Sequence, residues 1–403
     1  VKAVVFHGLG DIRLDEVPEP TLQAETDAIV RLTASAICGT DLHFIRGTMA
    51  GVEPGTILGH EGVGVVEALG EGVRNLRVGD RVVVPSTVAC GYCSYCRAGY
   101  YAQCDNANPN GPGTAFYGGP REAGGLNGMQ AEKVRVPFAH VNLVKLPDSV
   151  SDDEAILISD IFPTGYFGAD MADIKPGHTV AVLGCGPVGQ FAIASAKLLG
   201  AGRVIAVDQH EDRLAMARDQ GAEPVDFSRE DPVETVKRLT GGIGVDAVID
   251  AVGVDAEHAH AGPAAEHPAP GGAKEASSAA RTEGPAWKAG DAPMQALAWA
   301  VEMVAKAGTV SIIGVYPPTD NMFPIGAAMN KNLTVRMGNC NHRKYIPMLV
   351  ERVRSGEVLP TRILTQREPL SSVLDAYEAF DRRRPGWIKV ELDPGAKPGE
   401  GHG

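Results

Sequence analysis

Cys90, Cys93, Cys96 and Cys104 lie in the stretch CGYCSYCRAGYYAQC, at intervals of 3, 3 and 8 residues. Four thiolates so spaced can close around one tetrahedral ion. Zn²⁺ suits them best, because it favours sulfur and imposes no directional preference of its own. A cage of this kind fills every coordination position, so its expected role is to hold a loop rather than to perform chemistry. Disulfides are disfavoured by the odd total of 7 cysteines and by the tight spacing. The spacing matches neither common ferredoxin pattern. Arg97 is the one basic residue between 85 and 110, too little to grip a nucleic-acid backbone.

Three cysteines lie elsewhere. Cys340 reads as a core or turn residue and Cys185 falls inside a glycine turn. Cys38 belongs to Ala36-Ile37-Cys38-Gly39-Thr40-Asp41-Leu42-His43, which combines a thiol, a hydroxyl, an acid and an imidazole, and Gly59-His60-Glu61-Gly62 follows downstream. The run Gly184-Cys185-Gly186-Pro187-Val188-Gly189 sits between an apolar strand and a helical pattern. There Gly184 permits a tight turn, Gly186 lets a pyrophosphate approach the backbone, and Gly189 lets the helix pack on the sheet. The phosphates would meet the positive end of that helix. The next strand ends at Asp208, whose carboxylate can accept from both ribose hydroxyls and would repel a 2′-phosphate, so NAD is preferred to NADP. Arg213, on the following helix, is placed to stack near the adenosine or bind the ribose, or is a plain surface arginine.

These residues need elements to position them. Up to about residue 150 the chain shows short alternating runs such as Val63-Gly64-Val65-Val66-Glu67 and Arg81-Val82-Val83-Val84, separated by turn signals, and reads as mostly β. Ser151-Asp152-Asp153-Glu154 reads as a helix cap with acids in the first turn. Strands at 179–183, 204–207, 247–250 and 310–313 then alternate with helices at 189–199 and 213–218, the rhythm of a parallel sheet with helices on its faces. The stretch 255–293, dense in Ala, Gly, Pro and His, reads as an inserted loop. Its histidines His258, His260 and His267 are expected to be solvated rather than metal-bound. Arg382-Arg383-Arg384 reads as a solvated turn, and 394–403 as a disordered tail.

The chain has 403 residues, 44 % hydrophobic and 22 % charged, with a formal net charge of −13. That balance is ordinary for a globular protein and disfavours nucleic acid or anionic membrane as partner. No apolar run approaches a membrane span, and VKAVVFHG reads as a strand rather than a signal peptide. Reduced, metal-binding cysteines then suggest the cytoplasm.

Together, Cys38-Gly-Thr-Asp, Gly59-His60-Glu61, the four-cysteine stretch, Thr164-Gly165-Tyr166 and the glycine turn occur in an order and spacing that resembles the zinc-dependent medium-chain alcohol dehydrogenases. The resemblance covers roughly residues 1–254 and 294–392. It implies an α/β fold with a GroES-like, β-rich catalytic domain (1–158 and 318–403, with the zinc lobe at 88–106) and a Rossmann doubly wound parallel-sheet domain (159–317). It places a catalytic zinc on Cys38, His60 and Asp160, and a structural zinc on Cys90, Cys93, Cys96 and Cys104, so two Zn²⁺ per subunit. Many members carry cysteine where this chain has Asp160. A carboxylate there resembles the glutathione-independent formaldehyde dehydrogenase branch. It keeps the site formally neutral with a harder ligand.

The same resemblance implies that Asp41 orients His60, that Glu61 lies behind the metal and coordinates transiently, and that the substrate proton leaves through the Thr40 hydroxyl, the cofactor ribose and then His43, nearer solvent. It implies that Thr164 and the turns Val252-Gly253 and Gly314-Val315 hold the nicotinamide, beside Gly184, Gly186, Pro187, Val188 and Gly189 at the pyrophosphate. Gly39 replaces a basic residue that some relatives use on that pyrophosphate. Ser86 stands where relatives often carry a bulky aromatic, which implies a roomier substrate pocket. The expected activity is reversible hydride transfer between NAD and a small-molecule alcohol or aldehyde hydrate, by a homo-oligomer, dimer or tetramer. Formaldehyde oxidation or aldehyde dismutation with retained NAD is the alternative. A zinc-free quinone reductase-like or binding protein is the rival of a different class.

Overall fold

The computed structural model describes residues 1–266, 287–318 and 323–396. Among these, two compact units are distinguished: residues 1–163, Trp287–Lys288 and 340–396 form one, and 164–266, 289–318 and 323–339 the other.

The first unit opens with a hairpin, β1 (Lys2–Gly8) and β2 (Asp11–Glu16). Its main sheet begins with β3 (Ala28–Ile37), β4 (Gly62–Leu69), β5 (Arg81–Val84), β6 (Lys133–Val136) and β7 (Val144–Lys145). The valine-rich runs pair antiparallel, with Gly62–Val65 facing Arg81–Val84 in register. Gly64 is obligatory in that ladder, since a Cβ there would lie 2.2 Å from Arg31 O. Ser151 caps the helix Asp152–Ser159 as expected. Its Oγ accepts from Glu154 N at 3.2 Å while its own N–H donates to Glu154 Oε2 at 2.9 Å. Such a box contributes about 1 kcal/mol.

The second unit is the parallel sheet. Its strands are β8 (Thr179–Leu183), β9 (Arg203–Asp208), β10 (Glu223–Asp226), β11 (Val245–Asp250), β12 (Val304–Ile312) and β13 (Thr334–Met337). They lie in the order β10-β9-β8-β11-β12-β13, all parallel, which is the doubly wound dinucleotide-binding arrangement. Val180, Val182, Val248 and Ile249 are wholly buried, each contributing about 1.5–3 kcal/mol through apolar burial. Since β13 belongs to this sheet, the unit runs to Asn339, beyond the 317/318 boundary expected from sequence.

The chain then returns to the first sheet as β14 (Gln366–Pro369) and β15 (Val390–Asp393), giving the order β14-β15-β3-β4-β5-β7 with β6 on β3. The 255–293 stretch expected to be a loop contains short 3₁₀ turns at Gly253–Asp255 and Pro263–Glu266, and its described ends meet, Ala292 N donating to Ala256 O at 3.0 Å. Residues 267–286, with His267, lie outside the described residues. His260 is exposed, 3.7 Å from Asp291, and joins no metal-ligating group among the described residues. Of the tail expected to be disordered from 394, residues 394–396 are ordered, because Asp393 Oδ1 accepts from Gly395 N and Ala396 N at 2.7 and 3.0 Å. The rest, 397–403, lies outside the described residues. Arg382 pairs with Glu378 on the surface at the end of helix Val373–Asp381. No helix of the described residues is long and apolar enough to cross a membrane.

Candidate metal centres and dinucleotide site

Two sets of side chains converge in the first unit: Cys90, Cys93, Cys96 and Cys104, and Cys38, His60, Glu61 and Asp160. Within each set one potential ligand atom per residue lies within 4.8 Å of the others. All seven cysteines are free thiols.

In the four-cysteine lobe, Cys93 Sγ and Cys104 Sγ are 4.0 Å apart, close to the ~3.8 Å edge of a tetrahedron with ~2.3 Å Zn–S bonds. Backbone N–H groups point at the sulfurs: Cys104 accepts from Cys90 N at 3.2 Å, Cys90 from Cys93 N at 3.4 Å, and Cys93 from Cys96 N at 3.4 Å. Burial alone would push the Cys93 thiol up, but the amides of Cys96 and Asp105 bring it down to about 7. Four sulfurs ringed by donors and packed into one core suit a thiolate-bound cation.

The second set is assembled by three chain segments. Cys38 follows β3 and caps the helix Gly39–Arg46, where its N–H donates to Asp41 Oδ2 at 3.0 Å. His60 and Glu61 lie just before β4. Gly59 turns the chain into them with a φ of 90°, and a Cβ there would sit 2.5 Å from Gln130 Cγ. Asp160 ends helix Asp152–Ser159. Its neighbour Ser159 sets the position, since Ser159 Oγ donates to Val84 O at 2.6 Å and accepts from Gly62 N at 3.0 Å.

Asp160 Oδ2 lies 3.6 Å from Cys38 Sγ and 3.4 Å from His60 Nε2, edges that suit bonds of ~2.0–2.3 Å to a common ion. The donor set is one sulfur, one nitrogen and one oxygen, buried and carrying two formal negative charges when ionised. It fits Zn²⁺ with an open position. Asp41 Oδ1 stands 3.3 Å from His60 Nδ1. Asp41 Oδ2 also accepts from Gln130 Nε2 at 3.2 Å, and Gln130 Oε1 accepts from Tyr377 OH at 2.8 Å.

The charges interlock. Burial pushes the Cys38 thiol up against the pull of His60. Burial opposes charge on His60, yet Asp41 and Cys38 hold its imidazole well above its usual value. Burial would likewise raise Asp160, but His342 and His60 hold it well below the usual carboxylate range. Glu61 is pushed up to about 7 by burial, against the pull of Lys389.

Four partners of this site carried no signal in the sequence: His342, Lys389, Gln130 and Tyr377. One expectation about the relay is corrected. His43 is not nearer solvent but buried, 4 % exposed, with Nδ1 2.9 Å from Thr48 Oγ1, because it faces the core side of its helix. Ser86 is also buried, its amide on Ser159 O at 3.3 Å. Thr40 lies in the first turn of the same helix as His43.

In the second unit, Gly184 (φ 83°) turns the chain after β8, and helix Pro187–Leu198 starts at Gly186 with Pro187 and Val188 in its first turn. A Cβ on Gly189 would lie 1.8 Å from Gly184 O, so only glycine lets helix and turn pack together. At Gly186 an added Cβ would meet nothing closer than the Arg213 guanidinium at 3.8 Å, which leaves room for a phosphate against bare backbone. Asp208 ends β9, buried. It accepts from Cys185 N at 2.7 Å, Gln209 N at 2.7 Å and His210 N at 2.9 Å. Burial opposes its charge, but Arg213, His210 and the amides of His210 and Cys185 hold Asp208 below the usual carboxylate range. The Val252-Gly253 and Gly314-Val315 turns touch, Val254 N donating to Val315 O at 3.0 Å, and a Cβ on Gly253 would lie 2.4 Å from Val315. Asp250 braces them, accepting from Val252 N, Gly253 N and Tyr316 OH at 2.9, 3.1 and 2.7 Å. Thr164 lies on helix Ile161–Met171, and Gly165 packs against Ala192 of helix Pro187–Leu198, where a Cβ would come within 2.7 Å.

A β-rich unit with two ligand sets, in one chain with a doubly wound dinucleotide-binding sheet, defines a medium-chain, zinc-type dehydrogenase. The chain belongs to the zinc-type alcohol dehydrogenase family. The family model described as the alcohol dehydrogenase GroES-like domain matches residues 24–148, and that of the zinc-binding dehydrogenases matches 187–262. The chain is 38 % identical to the zinc-type alcohol dehydrogenase-like protein AdhB of Bacillus subtilis strain 168, over 98 % of this chain and 100 % of the relative. It is 35 % identical to a glutathione-independent formaldehyde dehydrogenase of Pseudomonas aeruginosa, over 98 % and 97 %. Among solved structures, alcohol dehydrogenase TADH from Thermus sp. ATN1 superposes with a TM-score of 0.80 at 38 % identity, over 98 % and 99 % of the two chains.

Proposed function

We propose that the protein is an NAD-dependent alcohol dehydrogenase with two Zn²⁺ per chain, moving a hydride between NAD and an alcohol or hydrated aldehyde. The observation that carries this reading is the buried convergence of Cys38, His60 and Asp160 in a chain that also builds the glycine turn of a dinucleotide site.

Zinc held by these residues would polarise the alcohol oxygen and lower its pKa, and NAD would accept the hydride. The chain's own residues do the rest. Asp41 fixes the His60 ring through Nδ1, leaving Nε2 to the metal. Lys389 grips both oxygens of Glu61, the carboxylate that stands with the ligand set and serves as its transient ligand. Thr40 takes the alcohol proton and His43, one turn along the same helix, passes it on. Because His43 is buried, the proton's onward route includes the Thr48 hydroxyl. Asp208 accepts from the ribose hydroxyls and repels a 2′-phosphate, with Arg213 beside it. Thr164, Val252, Gly253, Gly314 and Val315 shape the nicotinamide pocket.

Oxidation or dismutation of formaldehyde is favoured as a second reading by Asp160 in place of a thiolate and by the Pseudomonas relative. A homo-oligomer and a reducing, cytoplasmic setting complete the proposal. The test is a panel of alcohols and hydrated aldehydes with NAD and NADP, followed by NADH absorbance. Aldehyde loss without net NADH, in protein that keeps its cofactor through gel filtration, would select dismutation. Absence of turnover and of NAD binding across the panel would overturn the proposal.

A further inference from the structure

Asp160 uses its two oxygens differently. Oδ2 faces Cys38 and His60 at 3.6 and 3.4 Å, while Oδ1 lies 2.7 Å from Nε2 of His342. His342 is 3 % exposed, and its other nitrogen, Nδ1, is 3.0 Å from Thr87 Oγ1. The segment carrying it is pinned as well: Thr87 Oγ1 lies 3.4 Å from Cys340 O, and Asn341 Oδ1 accepts from Ala102 N at 2.9 Å, two residues before Cys104 of the lobe. The imidazole therefore approaches Asp160 from a rigid base at the start of helix His342–Arg354.

A thiolate offers a metal one donor atom and needs no orientation. A carboxylate offers two, and can rotate or chelate through both, closing a position that substrate needs. We propose that His342 is the positioning residue that makes Asp160 a one-oxygen metal ligand, by holding Oδ1 and leaving Oδ2 to the ion. This rests on the ligand reading above. It follows that the carboxylate and the histidine act as a unit, and that a cysteine at 160 has no use for His342. Outer-shell partners of this kind typically change metal affinity by ~10–100-fold.

The test measures metal, not turnover. Zinc content and the rate of zinc transfer to a chromogenic chelator are compared for the wild type, Asp160→Ala, His342→Ala, His342→Gln, Asp160→Cys and the double Asp160→Cys/His342→Ala, with the d–d spectrum of the cobalt-substituted proteins alongside. His342→Ala should release one metal equivalent ~10–100-fold faster and shift the cobalt spectrum, with the lobe equivalent and the far-UV spectrum unchanged. His342→Gln, which keeps a donor, should restore most of the wild-type rate. In the Asp160→Cys background, His342→Ala should change nothing further. Wild-type release from His342→Ala overturns the proposal, as does equal acceleration with cysteine at 160, which would mark His342 as a packing residue only. A wild-type chain holding a single zinc, unchanged by Asp160→Ala, would overturn the ligand reading itself and this proposal with it.

Discussion

Lys389 Nζ lies 2.6 and 2.7 Å from the two carboxylate oxygens of Glu61, and neither side chain is exposed to solvent. The ammonium also donates to Ile37 O at 3.1 Å, one residue before Cys38. One cation thus ties together the strand that delivers the thiol, the residue after His60, and the chain just before β15. Removing it leaves a buried carboxylate alone, which costs roughly 3–5 kcal/mol. Lys389→Met should lower the urea midpoint accordingly, and Lys389→Met with Glu61→Gln should recover most of the loss, as read from equilibrium unfolding.

The four-cysteine lobe is expected to be silent in turnover and structural in effect. Cys93→Ser should remove one zinc equivalent by elemental analysis and lower the thermal midpoint. Zinc at Cys38, His60 and Asp160 should remain in the protein that stays folded.

In the proposed function, Asp208 is the residue whose charge favours NAD over NADP. Asp208→Asn removes the repulsion of a 2′-phosphate and keeps one oxygen for the amides of Gln209 and His210, while the amide of Cys185 loses its acceptor. Losing one charged acceptor of this kind is worth about 1.5–3 kcal/mol. The ratio of kcat/KM for NAD over NADP should therefore fall by roughly ten- to a hundredfold.

Glu391 carries a pH dependence away from the metal. Burial first, then Asp153, push its carboxyl up to about 8, and Oε2 has no hydrogen-bond partner among the described residues. The folded state therefore holds this proton more tightly than the unfolded chain, where a glutamate titrates near ~4.3. The stabilisation is complete below that value and is lost as pH rises towards 8. The slope is at most about 1.4 kcal/mol per pH unit. Glu391→Gln should flatten the decline between those pH values, measured by urea midpoints in a buffer series.

The sequence made the local parts of this architecture readable and left the long-range ones hidden. Ser151 and Glu154 declare their helix cap within four residues, and the glycine turn declares itself between β8 and its helix. The two ligand sets were readable because each lies in short motifs. Asp160 needed the family resemblance, since nothing around it marks a ligand. Lys389 and His342 stand 328 and 182 residues from their partners. Locally, one is a lone charge just before a strand and the other an ordinary residue at a helix start. Only the fold closes those distances. His43 is buried where the resemblance implies a place nearer solvent, because a motif carries residue types and not which helix face packs against the core.

The central claim is that Cys38, His60 and Asp160 hold the working metal apart from the lobe. Zinc per chain and alcohol oxidation, measured side by side on wild type and Asp160→Ala, test it most directly. The account predicts two equivalents falling to one, NADH formation falling to background, and an unchanged far-UV spectrum. An Asp160→Ala protein that keeps both equivalents and full turnover would contradict it.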